Sequence, residues 1–263
     1  TSGNISGEPV LTQNAEASAR LANIADAFLQ QDRPIVRPAD DTVFRKIAGP
    51  QRPIRIGRGC APLEMTLPWR QEQSLLAVGG HMKGTVALAW GNRVVVSPHI
   101  GEMDSPRSLE VFEQLVDDLQ TLYGVHAERF VCDAHPGYTT HKWARRQSER
   151  PVDAVWHHSA HASAVAGEFD RPGPWLLFAW DGVGLGEDGT LGGGVALLVS
   201  AGRWRRVASH RTFRLPGGEP AGREPGPSAD PVQWEAGLTW TSAADTDGLA
   251  KAALQQRINT PET

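Results

Sequence analysis

From Ser74 to Gly167 short apolar runs alternate with segments of helical period, and this alternation constrains the fold more than any other feature of the chain. Residues 75–78, 85–90 and 93–97 read as strands, the last two joined at Gly91-Asn92 as a tight hairpin. Ser105 then offers a helix N-cap with Pro106 at the first helical position. Leu109, Phe112, Leu115, Val116, Leu119 and Leu122 recur on one face until Gly124 stops the helix. A strand over 129–133, a helix over 138–146, a strand over 152–156 and a helix over 157–167 complete the order β-β-β-α-β-α-β-α. Strands that alternate with helices predict an α/β sheet covered by its own crossovers.

The flanks differ. Strands predicted over 175–180, 191–199 and 204–210 open a second sheet. On the N-terminal side, a glycine-rich turn over residues 1–7 runs into a predicted helix over 15–28 and a strand over 42–47. Pro50, Pro53, Pro62 and Pro68 with scattered arginines suit an extended connector. The expected organisation is therefore a domain end over 1–50, a linker over 51–73, a first lobe over 74–170 and an incomplete second lobe over 171–263.

Charge narrows the function classes. With 26 basic against 30 acidic side chains the net charge is −4, which argues against a nucleic-acid partner held by counterion release. Arg203, Arg205 and Arg206 flank Trp204 in a strand pattern and read as a solvated face. No apolar run approaches the ~20 residues that a membrane helix needs. Cys60 and Cys132 form no CxxC pair, so a reducing, cytoplasmic setting is expected. The chain starts at Thr1 with no apolar leader, as an internal piece of a longer protein would.

Three strings carry chemistry. His157 and His161 stand one turn apart on a helix, where their Cβ atoms lie about 6 Å from one another; they can share one metal ion, or cap the helix and pack on Trp156. His158 lies about 100° round the helix and serves a second-layer or substrate role. The run from Trp180 to Gly189 follows an apolar strand without a following helix. It is either a phosphate-facing loop, with Asp181 able to bind a metal or its water, or an acidic hairpin turn. Gly79-Gly80-His81-Met82-Lys83-Gly84-Thr85 joins two predicted strands, and its Lys83 either neutralises a phosphate or is simply solvated.

Five strings in order resemble the HypF family of hydrogenase-maturation carbamoyltransferases. They are Gly79-Gly80-His81-Met82-Lys83, Ser97-Pro98-His99-Ile100-Gly101, Cys132-Asp133-Ala134-His135-Pro136-Gly137-Tyr138, His157-His158-Ser159-Ala160-His161-Ala162 and Trp180-Asp181-Gly182-Val183-Gly184. Upstream, the string Thr1-Ser2-Gly3-Asn4-Ile5-Ser6-Gly7-Glu8-Pro9, with Ser2, Gly3 and Asn4 at its centre, resembles the closing motif of a YrdC-like domain. The resemblance implies the end of that domain followed by the first part of a TsaD-like transferase module, whose lobes have the actin-like ATPase layout.

Several functional expectations follow from the resemblance. ATP and carbamoyl phosphate give a carbamoyl-adenylate, and the carbamoyl group passes to the C-terminal cysteine of HypE on the way to the cyanide ligand of a nickel–iron hydrogenase. His157, His161 and Asp181 would hold a divalent metal, zinc or iron, with magnesium accompanying the nucleotide. Gly79, Gly80, Lys83, Gly182, Gly184, Gly193 and Gly194 would face nucleotide phosphates, and His158 would act beside the metal. A further acidic ligand is expected beyond Thr263. The chain departs from the family pattern at Gly84, Ser159, Gly192, Val195 and Gly226. With the YrdC-like part reduced to its end and one lobe incomplete, the chain alone is expected not to complete the transfer. The competing reading is a non-catalytic remnant or a HypE-docking segment.

Overall fold

The computed structural model describes residues 3–147, 149–169, 173–200 and 203–211. Two compact units divide it, Thr1–Val155 and Trp156–Thr263.

In the first unit, α1 (Asn14–Arg20), β1 (Val43–Lys46) and β2 (Gln51–Arg55) precede β3 (Leu63–Ala77), β4 (Ala87–Val96), α2 (Pro106–Tyr123), β5 (Arg129–Asp133), α3 (Thr139–Arg146) and β6 (Val152–Val155). The main sheet has the order β4-β3-β5-β6, antiparallel at β3/β4 and parallel at β3/β5 and β5/β6. It is thus the mixed α/β sheet that the strand–helix alternation predicts. Helix α2 starts where its signals place it: the Ser108 amide donates to Ser105 Oγ at 3.1 Å, and Gly124 ends the helix at φ 62°. Its inner face buries Phe112, Leu115, Val116 and Leu119 against Leu76, Leu88 and Phe130 of the sheet. Trp143 of α3 meets both Phe112 and Phe130 edge-on.

Three expectations are corrected here. The helix predicted over 15–28 ends at Arg20, because the apolar residues beyond it gain no burial: Ile24 and Leu29 are exposed, and an isolated helix needs packing to persist. The prolines of 51–73 do mark extended backbone, but it is hydrogen-bonded; β2 pairs with β1, and β3 begins at Leu63. The hairpin at Gly91-Asn92 is absent, since β4 runs straight through. Gly91 (φ 54°) sits opposite Gln71 between two register irregularities of the β3/β4 ladder, so its glycine serves a bulge rather than a turn.

The second unit opens with α4 (His157–Glu168), followed by β7 (Trp175–Ala179), β8 (Gly184–Leu185), β9 (Leu191–Gly192), β10 (Val195–Ser200) and β11 (Arg203–Ser209). Its sheet has the order β11-β10-β7, antiparallel throughout, and β8 pairs with β9. Ala162 of α4 packs among Ala179, Val195, Leu197 and Val199. The strand predicted over 191–199 is split at Gly193-Gly194, where Gly194 takes φ 67°. Among the described residues no helix is long and apolar enough to cross a membrane.

Candidate metal and phosphate site

Helix α4 begins at His157, so its first turn carries His157 and His158 and the start of its second carries His161. The Nε2 atoms of His157 and His161 lie 3.2 Å apart. Asp181 follows β7 directly, and its Oδ2 lies 3.2 Å from Nε2 of His157 and 3.8 Å from Nε2 of His161. The three ligand atoms fall within 4.8 Å of one another. His158, although a quarter-turn or so round the helix, reaches the same carboxylate, with Nε2 2.9 Å from Asp181 Oδ1. It is buried, at 6% exposure, and fixes the orientation of Asp181.

This arrangement fits a divalent ion. Ligands about 2.0–2.2 Å from a tetrahedral ion are separated by about 3.3 Å, close to the spacings found here. The buried Oδ2 of Asp181 accepts no hydrogen bond of good geometry and is aimed instead at the two imidazoles. Burial opposes ionisation of Asp181, but the close approach of His157 and then of His158 outweighs it. The carboxyl is held well below the usual carboxylate range and stays an anion. Two imidazoles and a carboxylate form a donor set for zinc or iron.

Glycines let the surrounding backbone close on this cluster. A Cβ at Gly184 would stand 2.7 Å from Cδ2 of His157 and 2.9 Å from Cε1 of His158. One at Gly193 would stand 2.2 Å from the Asp181 carbonyl oxygen. Gly182, Gly184, Gly193 and Gly194 with Asp181 line a cavity of about 580 Å³. Sequence reasoning missed two residues on that cavity, Arg206 and His210. Arg206, read as part of a solvated face, is paired with Asp188 of the β8–β9 turn, a contact invisible to strand periodicity.

The remaining predicted residues belong to the first unit. Gly79 has φ 70° and would clash through a Cβ 2.4 Å from the Thr85 carbonyl oxygen, while Gly80 has open space. The carbonyls of both accept from Thr140 Oγ1, at 3.2 and 3.3 Å. Lys83 is exposed with φ 52°, a strained conformation for a residue with a Cβ. In the same loop His81 bonds Asp104 (2.6 Å) and stacks on Tyr138. Asn4 Nδ2 donates to the carbonyls of Ile5 and Glu8, so its amide organises the glycine-rich turn itself. Gly3, Asn4 and Lys83 line one cleft of about 1130 Å³, whereas Gly79 and Gly80 do not. Ser2 and Gly226 lie outside the described residues.

Comparison with known proteins decides the family. The HypF Kae1-like domain matches residues 70–168, and the second subdomain of the carbamoyltransferase Kae1-like domain matches 177–263. The Sua5–YciO–YrdC model, described as telomere recombination, matches 1–57. The chain belongs to the HypF family. It is 42% identical over 235 residues to the carbamoyltransferase HypF of Synechocystis, covering 89% of this chain and 30% of that protein. Against HypF2 of Cupriavidus necator it is 39% identical, covering 86% of this chain and 28% of the relative. The chain thus spans about a third or less of these relatives' length. A crystal structure of full-length HypF in a phosphate- and nucleotide-bound form superposes over 100% of this chain and 35% of its own, with TM-score 0.88 and 30% identity. HypF of T. kodakarensis gives TM-score 0.87 at 26% identity, covering 100% of this chain and 37% of that one.

Proposed function

We propose that the chain is the part of a HypF-type carbamoyltransferase that holds nucleotide phosphates beside a metal. Residues 1–50 would close a YrdC-like domain, 51–73 would link it to the transferase, and 74–170 and 171–263 would form one transferase lobe and the start of the next. The whole reaction would use ATP and carbamoyl phosphate to make carbamoyl-adenylate, and would carbamoylate the C-terminal cysteine of HypE. The observation that carries this reading is the convergence of His157, His161 and Asp181 beside a glycine-lined cavity.

The roles of the chain's own groups follow from their chemistry. A divalent metal, when bound, supplies positive charge opposite phosphate oxygens. His157, His161 and Asp181 hold it, and His158 orients Asp181 through Oδ1. Gly182, Gly184, Gly193 and Gly194 allow backbone to approach the phosphates closely, where N–H groups stabilise negative charge. The carbonyl of the mixed anhydride is then open to attack by the HypE thiolate, with AMP as the leaving group.

The test grafts this chain into the Synechocystis relative in place of its matching segment. ATP, carbamoyl phosphate and HypE are added, and the intact mass of HypE is measured. Carbamoylated HypE, lost when His157 and His161 are both alanine, supports the reading. A fully folded graft that binds HypE but never modifies it favours a docking segment instead.

A further inference from the structure

Side chains alternate across a strand, so in β11 Arg206 shares the face of Trp204, while Arg203 and Arg205 take the opposite one. Trp204 packs on the cluster that contains Ala162 of α4. Arg206 and Trp204 accordingly line a cavity of about 310 Å³ together with His158 and Ser159 of that helix. The β10/β11 ladder is irregular at this point, with Leu197 opposite Arg206 and Ala196 opposite Ala208, a bulge of the kind that re-aims a side chain. Arg206 also reaches the larger cavity of about 580 Å³, which it lines with Asp181, Gly182 and Gly184. Its head lies on the glycine run itself: a Cβ at Gly186 would stand 3.4 Å from Nη1.

Only part of the guanidinium is engaged. Nη2 pairs with Oδ2 of Asp188, while Nε and Nη1 donate to no described residue. Asp188 is held in turn by Thr190, whose Oγ1 donates to Oδ1 at 2.7 Å. Both side chains of the pair are 40% exposed, and an ion pair so open to water contributes little. A phosphate carries more charge and more acceptor oxygens than one carboxylate, and a planar fork of N–H donors matches it better.

We propose that Arg206 is a phosphate-binding residue of the glycine-lined cavity, and that Asp188 is a built-in competitor that parks the guanidinium there until a phosphate chain arrives. This rests on the phosphate-holding reading above and adds a cationic arm to backbone N–H groups and a metal. The pairing has a signature that a purely structural latch lacks. If Arg206 served only to pin the β8–β9 turn through Asp188, loss of either partner would loosen the loop and weaken binding. If Asp188 competes for the arm, neutralising it strengthens binding.

The experiment is calorimetric titration of the chain, stripped of metal with a chelator, using inorganic pyrophosphate and ATP as separate probes. Arg206→Ala should weaken both by about tenfold, the worth of one charge-assisted hydrogen bond. Arg206→Lys, a point charge without the fork, should keep part of the affinity. Asp188→Asn should tighten pyrophosphate binding by about threefold, a few tenths of the worth of that bond. Glu187→Gln makes the same change in charge one residue away, lines only the smaller cavity, and should leave affinity unchanged. Weaker binding in Asp188→Asn, equal tightening in Glu187→Gln, or a loss in Arg206→Ala confined to ATP would each overturn the proposal while the phosphate-holding reading stands. If the wild type binds neither probe the proposal also falls, and HypE modification by the grafted protein judges the wider reading separately. Should Arg206→Ala fail to fold, Arg206→Lys and the sign of the Asp188→Asn effect decide the matter.

Discussion

Gly184 lies so close to α4 that a Cβ there would stand 2.7 Å from Cδ2 of His157. The same added carbon would meet Cε1 of His158 at 2.9 Å, so an alanine would displace both a ligand ring and the ring that orients Asp181. Gly184→Ala is therefore expected to lower metal affinity by about tenfold or more, with the far-ultraviolet dichroism unchanged. Competition with a chelating dye measures it.

His158→Ala should act through Asp181 rather than by removing a ligand. Loss of the 2.9 Å contact to Oδ1 frees the carboxylate to turn, at an expected cost of about 10–100-fold in metal affinity. The metal-to-protein ratio at saturation should stay the same, which separates an orienting residue from a ligand in one titration.

The nearness of His157 and His161 was legible from spacing, while their grouping with Asp181 came from the family resemblance. The i, i+4 histidines needed only a helix, and α4 forms where the apolar pattern places it. Asp181 was visible as the acid at a strand end. What spacing could not supply was the reach of His158, which depends on Asp181 lying over the first turn of α4, a tertiary fact. Likewise Gly91 reads as a turn signal in any local window. Only the long β3 running beside it, through a proline-bearing segment that looks like a connector, makes it a bulge. The pairing of Arg206 was hidden for the same reason, since its partner Asp188 is 18 residues away.

Gly79→Ala tests the loop of the first unit. The residue has φ 70°, and a Cβ would press to 2.4 Å from the Thr85 carbonyl oxygen. Strain and clash together should destabilise by about 1–3 kcal/mol, read as a lower urea midpoint. Gly80→Ala, with nothing within 4 Å of its Cβ, is the matched control and should be near neutral.

The Glu64–Tyr123–Arg93 cluster sets a pH window. Hydrogen bonds from Tyr123 and then Arg93 lower the Glu64 pKa, so its contribution is present above the ordinary carboxylate value of about 4.3 and is lost as pH falls through the lowered one. Burial, followed by the bond to Glu64, raises the Tyr123 pKa. That contribution is present below about 10 and is lost as pH rises through the raised value. Glu64→Gln should therefore be less stable than wild type at neutral pH, with the difference shrinking in acid. Urea midpoints of the two proteins across pH measure the gap, and a gap that widens in acid would contradict the assignment.

The most direct test of the account is the metal content of the purified chain after saturation with zinc or iron and exhaustive dialysis, read by inductively coupled plasma mass spectrometry. The wild type should retain about one ion per chain, as three ligand atoms converging on one point require. The His157→Ala/His161→Ala double variant should retain none while keeping its fold. Equal metal content in the two proteins would contradict the central claim that these side chains form the metal-holding part of the site.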